Sequence, residues 1–459
     1  MSLFPLIGAE IYGNAKEYAN SEIKFYKYAD RITLKKEQLF TLEIDEKGEF
    51  GVNVEVDEIT YVFGLFGIYH AYFFLEPDGK YELLLPEYVE KSPEDIFNPY
   101  FEPEYLHVGI KNLNKTDLNY LIVDFDYYYN RYIDLNFFEI YFEGPEYDVD
   151  TFIKNIKAHF EGIDNEYFGS YMNFRIAALK NIATQKKYEP AVVLAYFTRS
   201  PVLYDNPAYM DLFNNIYSSY FDKYLISKKG PFLYAVINYG HSITRLRRLL
   251  AQERELRNEQ FMEMVMLKGL HDAFGNRNLS WLPLLLTLDS LSMSTKYDYH
   301  KEIAQNIADD VLTMAENTGA PVFELPDIDE NTKSLTDYRG KYIYLQFANT
   351  DTYTSQMEFE LVKKIYDRYK GACIFLTILT DKDTIKAKKF IEKNKLEWDF
   401  LFAPINSPVI SMYKVDAYPA YFLIDPYGFL KMSPAPSPAE NFESALFRIL
   451  EAERSGKVH

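Results

Sequence analysis

A single cysteine among 459 residues narrows the chemistry open to this chain. Cys373 has no second thiol to pair with, so an internal disulfide framework, a two-cysteine redox couple and a cysteine-rich zinc site all fall away. The seven histidines do not compensate. His70, His107, His159, His241, His271, His300 and His459 include no pair at the four-residue spacing with which one helix face grips zinc. No metal and no cofactor is expected. The chain also lacks a glycine-rich loop to cradle phosphate and a nucleophile elbow. Its 68 acidic residues supply neighbours such as Asp124 with Asp126 and Asp309 with Asp310, but adjacency alone makes no general acid.

Positive charge is scarce as well: 49 Lys and Arg against 68 Asp and Glu leave a net charge of -19. Such a surface repels a phosphate backbone, so no nucleic-acid partner is expected. The basic run Arg245-Leu246-Arg247-Arg248 continues into Gln252-Glu253-Arg254-Glu255, an alternation that reads as a solvated helix face. No apolar stretch is long enough for a transmembrane span. The N-terminus has no basic segment leading into an apolar one, and Met1-Ser2-Leu3 reads as a scar on a mature chain whose export signal was trimmed. A removed signal leaves membrane anchoring open.

What is abundant is aromatic: 41 Tyr and 35 Phe, against 2 Trp. The plain expectation is that these residues fill cores and helix contacts. Tyr127-Tyr128-Tyr129 and Tyr217-Ser218-Ser219-Tyr220-Phe221 are candidate contact sites, because tyrosine joins an apolar ring to a polar tip.

From Glu10 to Leu85 the pattern alternates apolar with polar, as half-buried strands do. Segments at Ile11–Gly13, Glu22–Tyr28, Thr41–Asp45, Gly51–Val56, Ile59–Phe66, Tyr69–Leu75 and Tyr81–Leu85 predict a small β-sandwich over 1–97. Asp45-Glu46-Lys47-Gly48-Glu49-Phe50 reads as a hairpin turn, and 86–103 as a linker or wrapping loop. Residues 98–318 then carry 3.6-residue periodicity. Thr116 is placed to cap a helix towards Leu135, and Asp150-Thr151 to cap Phe152–Phe160. Further helices are predicted over Phe168–Thr184, Pro207–Tyr224, Ser242–Ala273 and Tyr299–Asn317. No fixed repeat length appears, so an irregular helical bundle is expected. The fold class is multidomain α+β, closed by an α/β domain over 319–459.

In that last region Ala320–Asp327 reads as a short strand and Ser334–Lys341 as a turn into the strand Lys341–Phe347. A helix with Phe359, Val362, Ile365, Tyr366 and Tyr369 on one side follows, and then the buried strand Ala372–Leu379. Val415–Asp425 carries Pro419 just before another strand, and Pro426-Tyr427-Gly428 supplies a turn. Together these segments resemble the thioredoxin superfamily, nearest its thiol-disulfide oxidoreductase and peroxiredoxin branch, from Gly319 to about Leu450. The N-terminal strand order resembles the prealbumin-like or carboxypeptidase-regulatory-like modules that precede such domains in exported proteins of Bacteroidetes-type bacteria.

The resemblance implies a cis bond between Tyr418 and Pro419, facing a helix N-terminus that normally carries Cys-x-x-Cys. Here Thr352, Tyr353, Thr354 and Ser355 occupy those positions, with Thr352 and Ser355 at the cysteine spacing. A hydroxyl without a neighbouring base cannot replace a thiolate in electron transfer, and Cys373 lies within an apolar strand where a thiol behaves as a small hydrophobe. The expectation is a redox-inactive thioredoxin-fold protein of the periplasm or cell envelope, acting as a binding or scaffold module for a protein or peptide. Thr352, Ser355, Tyr418 and Pro419 would frame its groove. Two alternatives stand beside it: an oxidoreductase or peroxidase using an atypical site, and a glycan- or peptide-binding component of nutrient uptake.

Overall fold

The computed structural model describes residues 8–454 apart from 93, 94, 96–100, 144–147, 186–188, 199, 277 and 404–406. Two compact units emerge, Met1–Lys91 with Glu102–Ala308, and Ser92–Phe101 with Asp309–His459. The N-terminal strands and the helices after them share the first unit. The segment 86–103 falls partly outside the described residues; within it Val89 bridges to Gly67.

The first unit begins with β1 (Ala9–Asn14), β2 (Glu22–Tyr28), β3 (Lys36–Glu43), β4 (Glu49–Val54), β5 (Thr60–Phe66), β6 (Tyr69–Leu75), β7 (Lys80–Leu84), β8 (Glu104–His107) and β9 (Gly109–Ile110). They form a four-stranded sheet, β4-β1-β7-β9, and a five-stranded sheet, β3-β2-β5-β6-β8. Ile11, Val54 and Leu83 of the first sheet share one core with Phe25, Phe40, Val62 and Phe73 of the second. The turn at Asp45 forms, its Oδ1 accepting from Lys47 N and Glu49 N at 2.8 Å each, with Gly48 at φ 84°. It joins no hairpin, however. β3 and β4 lie in different sheets, so the turn is a corner of the sandwich. The β5–β6 connection at Gly67, φ 68°, is a tight hairpin.

Successive side chains on β5 and β6 point to opposite faces. Val62, Phe66, Ala71 and Phe73 enter the sandwich core. Tyr61, Phe63, His70, Tyr72 and Phe74 therefore line the other face, which explains why these strands read as nearly continuous aromatic runs.

The helices begin with Leu118–Leu135. Asp117, not Thr116, holds its N-cap position, because Asp117 keeps extended backbone (φ -73°, ψ 142°) while its carboxylate accepts from Asn114 N at 2.7 Å. One residue into the helix, the Asn119 carboxamide accepts from Phe74 N at 2.8 Å and donates to Phe74 O at 2.7 Å. The run read as one helix over Pro207–Tyr224 is two, Pro207–Ile216 and Tyr220–Ile226, broken where Ser219 turns left-handed at φ 49°. Ser242–Ala273 likewise divides into Ile243–Leu250 and Glu259–Ala273. Periodicity alone cannot see a break that keeps the apolar phase.

Two surface readings change with packing. Arg247 of the basic run does not simply face water: its Nη2 lies 2.6 Å from Oε1 of Glu263, a carboxylate 1% exposed that also accepts from Thr295 Oγ1 at 2.6 Å. Tyr217 and Phe221 are core residues rather than contacts, whereas Tyr127 and Tyr128 are exposed.

The second unit is built on β12 (Tyr342–Ala348), whose seven residues are all buried. Short β10 (Glu324–Pro326) and β11 (Thr332–Ser334) precede it as a small antiparallel pair. β13 (Cys373–Leu379) runs parallel to β12 on one side, and β15 (Ala420–Ile424) antiparallel on the other. β14 (Asp399–Phe402) and β16 (Leu430–Met432) complete the order β14-β13-β12-β15-β16. Alternation along β12 sends Tyr342 and Tyr344 into one core, with Phe359 and Val362, and Ile343, Leu345 and Phe347 into another, with Tyr413 and Leu430. This two-faced burial is what a central strand covered on both sides requires.

Candidate functional site

β12 ends at Ala348 and hands over to the helix Tyr353–Tyr369, whose N-cap position is Thr352. The connecting loop is tied down residue by residue. Thr350 donates its N–H to Asp381 at 3.1 Å and its hydroxyl to the same carboxylate. Asn349 Oδ1 accepts from Asp351 N at 2.9 Å, and Gln356 Nε2 donates to Thr350 O at 2.7 Å. Asp381 is 6% exposed, and desolvation raises its carboxyl above the ordinary range. Lys386 pairs with Asp351 outside.

Within this frame Thr352 Oγ1 and Ser355 Oγ are hydrogen-bonded at 2.7 Å. Thr352 Oγ1 also lies 3.0 Å from the Asn349 carbonyl, and Ser355 Oγ accepts from Asn349 N at 3.4 Å. Ser355 is fully buried. The two positions with cysteine spacing are thus brought together, but their hydroxyls are taken up in bracing the loop. Among the described residues no histidine bonds either one, so neither has a base to make it a nucleophile.

The Tyr418–Pro419 peptide bond is cis, and Thr354 Oγ1 donates to Tyr418 O at 3.3 Å. Tyr353, at 75% exposure, and Met357, at 57%, stand one helical turn apart and face water. Cys373 starts β13 opposite Tyr342, whereas Leu379 at the other end pairs with Ala348 beside the loop. Six residues of strand place the thiol roughly 20 Å from the loop end. It is 1% exposed, and burial pushes its pKa up to about 12.

Sequence reasoning missed a polar chain through the sheet. Trp398 Nε1 donates to Thr377 Oγ1 at 2.9 Å, Thr377 donates to Gln346 Oε1 at 2.9 Å, and Gln346 Nε2 donates to Tyr421 OH at 3.1 Å. Tyr421 then donates to Glu358 Oε2 at 3.2 Å. Gln346 and Thr377, polar residues amid apolar strands, were the available signal. The chain satisfies groups that would each be costly to bury alone. Among the described residues no group of His, Cys, Asp and Glu could hold a metal ion.

A central parallel pair, an antiparallel strand entered through a cis-proline and a helix leaving the sheet at the loop define a thioredoxin-like fold. Residues 317–433 match the AhpC/TSA family, so the C-terminal region carries an AhpC/TSA thioredoxin-like domain. The thiol-disulfide oxidoreductase ResA of Geobacillus thermodenitrificans is 28% identical over 130 residues, which is 28% of this chain and 74% of that protein. A ResA of Bacillus cereus is 27% identical over 110 residues, 24% of this chain and 63% of the other. Among solved structures, the thioredoxin domain of a thiol-disulfide oxidoreductase from Bacteroides vulgatus aligns with 29% of this chain and 98% of its own, at 22% identity and a TM-score of 0.28. A thiol-disulfide oxidoreductase from Bacteroides fragilis covers 29% and 99%, at 21% identity and a TM-score of 0.27.

Proposed function

We propose that the C-terminal domain is a redox-inactive thioredoxin fold that serves as a binding or scaffold module for a protein or peptide in the periplasm or cell envelope. The carrying observation is the Thr352–Ser355 hydroxyl pair, closed on itself where a dithiol would be needed. The position of the lone thiol supports the same reading: Cys373 is buried in a strand with its pKa pushed up to about 12, and a thiol in that state supplies no attacking thiolate. Exposed Tyr353 and Met357, on one helix face beside the cis-proline edge, supply an apolar contact of the kind a partner covers.

The test is insulin-disulfide reduction and peroxide consumption by the full chain. Neither is expected above the buffer rate. Robust turnover that survives Cys373→Ala would overturn the proposal, and so would rapid native-state alkylation of Cys373. A Thr352→Cys, Ser355→Cys double variant is expected to gain disulfide reductase activity, because a thiol at a helix N-terminus ionises more readily.

A further inference from the structure

The positive charge of this chain is unevenly placed. Lys386, Lys388, Lys389, Lys393 and Lys395 follow closely, with Glu392 the one carboxylate among them, in a chain of net charge -19. All but Lys395 lie on the helix Thr384–Asn394. The inner side of that helix belongs to the domain core, where Ala387 and Ile391 are buried and Phe390 packs beside them. Its outer side carries the charge.

Lys386, Lys389 and Lys393 are exposed and follow at intervals of three and four residues, so they share one helix face. Lys386 pairs with Asp351 of the loop, and the Lys388 ammonium lies 6.0 Å from the centre of the Phe402 ring. Lys389, Lys393 and Lys395 are exposed, and their ammonium groups have no hydrogen bond or ion pair among the described residues. Like charges three or four residues apart weaken a helix. The row therefore costs the free domain stability, and helix propensity does not explain it, because glutamine and glutamate serve that equally well.

The shape of the surface says what answers it. Side chains three or four apart on a helix stand about 5–6 Å from one another. An extended peptide turns a side chain to one face every roughly 6.6 Å, so carboxylates at its alternate positions fall nearly in step with the lysines. The helix has 11 residues and is about 16 Å long. A nucleic-acid backbone would run off so short a patch onto a chain whose surplus charge is negative. A lipid surface needs a broad apolar face beside the lysines, whereas Ile385, at 66% exposure, is the sole exposed apolar residue of this helix.

We infer that the outer face of this helix docks an extended acidic segment of a protein partner, with carboxylates on Lys389 and Lys393 and an apolar side chain on Ile385. The inference deepens the reading of the domain as a binding module and rests on it. The Lys386–Asp351 pair joins this face to the loop before Thr352.

Fluorescence anisotropy of the full chain should be measured with labelled peptides of about ten residues, bearing glutamate at alternate positions with leucine or serine between, and with counterparts carrying glutamine for glutamate. Vesicles of phosphatidylglycerol and phosphatidylcholine in equal parts are tested by co-sedimentation. The acidic peptides are expected to bind, the leucine series more tightly, and to weaken as salt is raised. A Lys389→Gln, Lys393→Gln double variant is expected to bind about tenfold more weakly, with a melting temperature unchanged or higher because a like-charged pair is gone. Equal binding of the glutamine peptides, binding of vesicles but of no peptide, no binding of any acidic peptide, or unaltered affinity in the double variant would each overturn the inference. Insulin-disulfide reduction by the same preparations keeps the two readings apart. Turnover beside intact peptide binding overturns redox inactivity and leaves the docking face standing, whereas absent turnover beside absent binding overturns the docking face alone.

Discussion

The outer sheet face of the first unit and the loop of the second both carry polar groups at the margin of an apolar core, and they dispose of those groups in opposite ways. In the loop, Thr350, Thr352 and Ser355 all find partners within the fold. On the sheet face, Arg31 Nη2 has no hydrogen-bond partner, and the guanidinium rests against the Tyr28 and Tyr61 rings. A polar group satisfied by its own chain stabilises a shape, whereas one buried without a hydrogen bond costs stability. The loop is therefore the better satisfied of the two.

The contrast can be broken most forcefully through the sheet beneath the loop. Tyr344 stacks on Phe442 with centroids 3.6 Å apart and on Tyr421 at 5.1 Å, and its hydroxyl donates to Pro436 O at 2.9 Å. Tyr344→Ala should cost about 3–5 kcal/mol, the usual loss for a large buried aromatic ring. Hydrogen exchange of the β12 amides would read it locally. No loss of protection there would mean that the core does not carry this unit.

The next effect belongs to the outer face of the five-stranded sheet. His70 is 3% exposed, and burial first, then Lys36 and Arg31, lower its pKa from 6.5 to about 4. Between those values the unfolded chain binds a proton that the folded chain refuses. Stability is therefore full above pH 6.5 and falls as the pH drops towards 4, by at most about 3 kcal/mol. In His70→Phe, denaturant midpoints at pH 7 and pH 4.5 should draw closer together; an unchanged gap would remove His70 from the account.

Ser355→Ala should be milder. It takes one buried hydroxyl from the pair and leaves Asn349 N without its acceptor, a loss of about 1–2 kcal/mol. If stability instead rises, the hydroxyl pair does not brace the loop. The exposed Lys386–Asp351 pair should matter least, and Lys386→Ala is expected to leave the denaturation midpoint where it was.

Much of this architecture could be read from the residues. Alternation located most strands of the sandwich, and the apolar runs at 341–347 and 372–379 located the pair at the heart of the thioredoxin-like domain. Illegible were the features that depend on which elements meet. Nothing local to Asp45–Glu49 says that β3 and β4 join different sheets. Nothing in Arg247 reveals Glu263 beneath it. The loop was legible as a position, through Thr352, Ser355 and Pro419, while its bonding was not, because Asp381 is remote in sequence and common in type. The aromatic outer face of the five-stranded sheet was the least visible. Its tyrosines are spread over strands from Tyr28 to Tyr105, and only the sheet order gathers them.

Asn119 shows how such gathering is protected. β8 covers β6 only from Tyr69 to Tyr72, so at Phe74 the ladder would end in a bare N–H and C=O. The carboxamide takes up both, standing in for one residue of a missing strand. A sheet margin closed in this way offers no template to another chain. For a protein this rich in β-forming aromatics, one asparagine on a helix then acts as a guard against aggregation as much as a structural tie.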